Sequence, residues 1–283
     1  MKKYLAIFIT CILSITIVFL YQAKISSIPS ISYFPIDEEA SFTKAETNLQ
    51  LNTQKGQRKY TIAWNASSKS ENNMYLRQDI SLLFSNGKLL GALSKWREDA
   101  DTIQLSEKIQ TQGTSHYQTI SYHHGELHHP NGSIKSLQQM TYDELYVVEN
   151  NSPVIHSFGK PKTDKDLYWK KALNEKMSQT LLYKWNKLLN HYQIDKEDYL
   201  VVPLTALNRF NKEPLPSFTQ ADTNQIIGQL WEGLYKNYLI PIINEKERVS
   251  SYVPLILFGK DKQHLLVLFE INGKKERLIQ KYP

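Results

Sequence analysis

The feature that most limits this chain is its opening. Lys2 and Lys3 precede an apolar run from Tyr4 to Tyr21 that carries no charged side chain. A helix rises ~1.5 Å per residue and a bilayer's hydrocarbon core is ~30 Å thick, so the run just spans a membrane when it tilts or its ends snorkel. Thr10, Ser14 and Thr16 can return their hydroxyls to the helix's own carbonyls and do not bar insertion. Signal cleavage asks for small residues ahead of the cut. Here Ala23 meets that demand, and Tyr21, two residues before it, does not. Residues 4–22 therefore read as an uncleaved transmembrane signal anchor. Residues 1–3 stay cytoplasmic by the positive-inside tendency, and the remainder lies outside the cell membrane, single-pass. Tyr4 and Tyr21 fall where amphipathic rings favour the two interfaces.

Charge and cysteine usage limit what the remainder can do. The chain carries a net charge of +6, with 34 Lys and Arg against 28 Asp and Glu. Setting aside Lys2, Lys3 and Lys24 leaves 31 bases against 28 acids, a net +3. That balance argues against nucleic acid as a partner and permits weak attraction to an anionic wall polymer. Cys11 is the single cysteine and lies inside the apolar run, so the exported part has neither a disulfide nor a thiol nucleophile. A disulfide-free exported domain of this size suits a bacterial envelope.

Patterning gives the expected architecture. Residues 23–56, broken by Pro29 and Pro35, read as a stalk, with an edge strand or irregular chain from Ser41 onward. Residues 57–160 read as an antiparallel β-rich region. Tyr60, Ile62 and Trp64 alternate, and Asn86-Gly87 marks a two-residue hairpin turn. Residues 161–283 read as an α+β region. Helices near 164–193 and 220–238 start at Thr163 and Thr219, each with an Asp three residues on, and a three-strand meander fills 250–282. The expected fold class is α+β behind a membrane helix.

One cluster invites chemistry. Five of eight histidines fall between His116 and His129. Gly125-Glu126 fits a hairpin turn of the Gly-X type. Such a turn sets His123 opposite His128 and Tyr122 opposite His129. His123, His128, His129 and Glu126 then become candidate ligands for a divalent transition metal, or a pH-sensing group. His116 sits at an odd offset from His123 and falls on the other face. Neither HExxH nor a Cys-His spacing is present. Paired acids, Glu98, Asp99 and Asp101 or Asp143 and Glu144, are the only candidates for glycan hydrolysis. The leading expectation is a tethered extracytoplasmic binding, accessory or regulatory protein with an envelope protein or wall polymer as partner.

Overall fold

The computed structural model describes residues 32–53, 59–149, 155–245 and 247–282. The expected membrane span at 4–22 lies outside them. Among the described residues, no helix is long and apolar enough to cross a membrane.

The α+β expectation is corrected: the fold is mostly antiparallel β. Ten strands form two sheets, and three α-helices are present among the described residues. The difference arises from strand length. Tyr60–Ser85 and Lys88–Thr111 are two long strands, β2 and β3, where the sequence read as several short ones. The polar stretch placed in the stalk supplies a further strand, β1 (Phe42–Thr53), along β2.

The first sheet is a half-barrel. β1 and β3 flank the first half of β2, and β3 and β4 (Ser115–His128) flank its second half. β5 (Ile134–Val148) pairs with β4, and β6 (His156–Phe158) pairs with the end of β5. A corner in β2 makes the curl possible. Lys69 faces Thr102 of β3 while Met74 faces Ala100, so three extra residues bulge out of β2. An odd insertion swaps the faces of a strand. Tyr60, Ile62, Trp64 and Ser68 thus point inward before the corner, and Arg77, Asp79, Ser81 and Leu83 after it. The half-barrel closes through side chains: the Leu49 amide of β1 donates to Asp143 of β5 at 2.8 Å.

The outer face of the same sheet is also buried. Ile80, Leu82, Phe84, Ile120, Tyr122 and Met140 form one core with the helices and the second sheet. That burial on both sides explains why Leu76 to Phe84 is continuously inaccessible. α1 (Asp164–Tyr192) begins in a reciprocal cap between Thr163 and Asp166, and α2 (Gln220–Leu234) in the same cap between Thr219 and Asp222. A π turn at Tyr235–Leu239 leads from α2 into α3 (Ile240–Asn244), whose Pro241 has no N–H to bond backward. The second sheet comprises β7 (Tyr199–Pro203), β8 (Leu255–Gly259), β9 (His264–Ile271) and β10 (Lys274–Lys281), in the order β10-β9-β8-β7.

The chain enters by clasping the two layers together. Pro35 and Asp37 exchange backbone hydrogen bonds with Ser136 of β5, and the Tyr33 amide donates to Glu232 of α2 at 3.2 Å. The Tyr33 ring lies on Gly228, where a Cβ would stand 2.2 Å from ring atom Cδ2. Gly228→Val should therefore cost about 1–3 kcal/mol by expelling the ring. Gly233→Ala, one turn on with open space around it, should instead add up to about 1 kcal/mol. Urea denaturation of both variants checks this, and equal effects of the same sign would contradict the clasp.

Candidate functional site

The inward faces of the half-barrel split its interior in two. One end is apolar, built by Leu49, Tyr60, Ile62, Trp64, Leu83, Tyr117, Leu145 and Val147. The other end is polar and equally dry. Arg77, Asp79, Ser81, Thr119, Ser121 and His123 there show at most 0% exposure. Burying such groups costs several kcal/mol each unless they bond to one another. Their geometry meets most of that demand: of their side-chain atoms, Arg77 Nε and Asp79 Oδ1 are the two with no hydrogen-bond partner among the described residues.

His123 sits between two partners. Its Nδ1 lies 2.7 Å from Asp79 Oδ2, and its Nε2 lies 2.8 Å from Thr141 Oγ1. Ser68 donates to the same Asp79 oxygen at 2.7 Å. The Arg77 guanidinium donates to Ser68, to Ser70 at 2.9 Å and to the Asp101 carbonyl at 2.7 Å. It stands 3.9 Å from Asp79 Oδ1, with the Phe42 ring 4.9 Å away. Hydroxyls carry the chain of bonds onward from Thr141 through Thr47, Ser121 and Ser81 to the indole N–H of Trp64. The two ends of the interior are thereby joined.

The histidine hairpin expected at Gly125-Glu126 is not formed. Both residues lie inside β4, and the turn falls beyond His128. Gly125 serves a close approach instead: a Cβ there would meet Met74 Sδ at 2.1 Å, where the β2 corner crosses over β4. His123 consequently pairs with Gln139 rather than His128, and an odd offset along one strand puts the two histidines on opposite faces. His128 lies 3.5 Å from Glu126 and stacks on Tyr75 at 3.8 Å. His129 bonds Asp37 at 2.7 Å, part of the entering clasp. Burial raises the Glu126 carboxyl, with His128 opposing that shift. Thus His123, Glu126, His128 and His129 occupy three separate settings. Among the described residues no three His, Cys, Asp or Glu side chains converge as a metal shell would.

The acid pairs are also separated. Asp143 faces inward to the Leu49 amide, whereas Glu144 faces outward. Burial disfavours the Glu144 carboxylate, but hydrogen bonds from His116 and Lys170 and their charge outweigh it and hold the group down to about 2; Tyr142 and Tyr146 also donate to it. Asp99 accepts from Asn73 at the β2 corner.

The sequence reading missed Asp79, Arg77 and Thr141. Their signal was present: polar residues alternate with Gln78, Ile80 and Leu82 along β2, and Thr119, Ser121 and His123 alternate with Ile120 and Tyr122 along β4. Alternation normally means a wet face. Here the half-barrel closes over it.

No protein-family model matches this chain, and no curated protein matches it. Among solved structures, the solution structure of AT1g01470 from Arabidopsis thaliana aligns at 9% identity over 46% of this chain and 95% of that one, with a TM-score of 0.26. The crystal structure of Spo0M, a sporulation control protein from Bacillus subtilis, aligns at 9% identity over 84% and 90%, with a TM-score of 0.14. Likenesses this slight carry no argument about this chain.

His124, on the opposite face of β4, gives a test by pH. Burial, then the Arg77 charge, lowers its pKa to about 4 from an ordinary ~6.5. The unfolded chain therefore binds a proton first as pH falls. Stability held by neutral His124 is complete above pH ~6.5 and is lost on the way down to about 4, on the order of 3 kcal/mol in all. His124→Gln should flatten the stability–pH curve across that window in urea titrations. Parallel curves for the two proteins would contradict the burial.

Proposed function

We propose that this protein is a tethered extracytoplasmic binding, accessory or regulatory module of a bacterial envelope. One observation carries the reading. Asp79, Arg77 and His123 have no exposed surface; His123 bonds Asp79 and Thr141, and Arg77 bonds Ser68, Ser70 and the Asp101 carbonyl, so none reaches the surface where a substrate would meet it. The outer carboxylate, Glu144, is saturated by donors. Opposite faces for Asp143 and Glu144 likewise remove that pair from two-carboxylate hydrolysis of a glycan.

Concave surface is present on the second sheet. A groove of about 570 Å³ runs between the end of α1 and strands β9 and β10. Tethering follows from the charge-free run at residues 4–22 behind Lys2 and Lys3. A net charge of +3 beyond Lys24 fits weak attraction to anionic envelope polymers.

The expected outcome is recovery of the intact chain in membranes after alkaline carbonate washing. A C-terminal tag should be digested by protease added to spheroplasts. A carbonate-soluble chain, or a tag protected until the cells are lysed, would contradict the reading.

A further inference from the structure

The second sheet ends on a strand whose outer edge no described strand pairs. β10 bonds β9 on one side only. Asn272 and Gly273, with φ of 50° and 84°, form a two-residue turn in which Ile271 faces Lys274. That register fixes the backbone. Lys274, Glu276, Leu278 and Gln280 bond back to β9, so Lys275, Arg277, Ile279 and Lys281 direct their N–H and C=O groups to the open edge.

The same residues line the groove beside α1. Arg277, Ile279 and Lys281 stand opposite Leu268, Leu266 and His264 of β9, on the groove side of the sheet. Ile279 is 58% exposed and lies between two cations. The Arg277 guanidinium carbon lies over the Tyr192 ring, 5.0 Å from its centroid, a cation–π contact that positions the group beside the groove. Asp195, across the groove, is turned to the Glu197 amide at 3.0 Å.

Cationic side chains on an open strand usually deter pairing. Here they deter one partner and suit another. In a two-fold pairing of β10 with a second copy about Ile279, Arg277 would face Lys281 of the copy, and like charges directly opposite are destabilising. An acidic strand reverses that sign at both positions.

We propose that the β10 edge takes an extended partner peptide as a fifth strand, with an acidic, an apolar and an acidic residue at alternate positions set against Arg277, Ile279 and Lys281. Backbone bonds at four outward positions would supply affinity, and the alternate side chains the selection. The proposal rests on the binding role above and gives that role a surface and a ligand class.

Full-length protein in detergent micelles, titrated into a fluorescein-labelled peptide Thr-Glu-Thr-Val-Thr-Glu-Thr, provides the test. Saturable anisotropy change is expected. The double variant R277E/K281E should weaken it at least about tenfold and gain binding of the peptide with lysines in place of glutamates. Methylating alternate peptide amides should abolish binding. No saturation up to about 1 mM peptide, or equal binding by the charge-swapped variant or the methylated peptide, would overturn the proposal. Those failures would leave membrane tethering untouched, because carbonate extraction and protease access read it separately.

Discussion

A carboxylate with no exposed surface sets the terms for this fold. Asp79 sits in the second half of β2, inside a half-barrel, with no water to face. A buried carboxyl left without partners costs several kcal/mol, a large share of a domain's net stability. His123 from β4 and Ser68 from before the corner supply its hydrogen bonds, and Arg77 stands beside it. Of these only Ser68 depends on the bend of β2 at Ser70–Asn73, because His123 is the register partner of Asp79 on β4 and Arg77 lies two residues away on the same strand. The Ser68–Asp79 bond thus ties the two halves of the bent β2 together, and the Asp79–His123 bond ties β2 to β4 in one register.

The rest of the molecule is built on the sheet so fixed. Its outer face carries Ile80, Leu82, Tyr122 and Met140 into a core shared with α2, where Tyr122 stacks on Trp231 at 5.0 Å. The unpaired middle of β5 is sealed by a side chain: Asn211 accepts from the Met140 amide and donates to its carbonyl. The entering residues seal Ser136 in the same strand. An otherwise open strand edge is thereby closed without another strand, which removes a route to unwanted pairing. β10 has no such closure among the described residues.

How much of this could be read from residue order depends on range. Signals spanning three or four residues were legible. Asn86-Gly87 turns the β2–β3 hairpin with positive φ at both positions, and Thr163 with Asp166 closes a reciprocal cap. Signals that depend on distant chain were not. Gly125 resembles a turn residue because nothing local reveals that Met74 will pass over it. The β1 stretch resembles a linker because its outward residues are polar and only Leu49 is deeply buried. The α+β class came from reading β2 and β3 as several short strands, because no local signal shows that each runs on unbroken past the corner. At the site, the histidines were visible but their partners were not. Asp79 lies 44 residues from His123 in sequence.

The coupling between Asp79 and His123 tests the account most directly. A double-mutant cycle of Asp79→Asn, His123→Gln and the pair, read by urea denaturation at neutral pH, isolates it. Residues joined in one buried network should show an interaction energy of about 1–3 kcal/mol, with the second substitution costing less once the first is made. Strictly additive losses would contradict the claim that Asp79 and His123 act as one buried, mutually dependent pair.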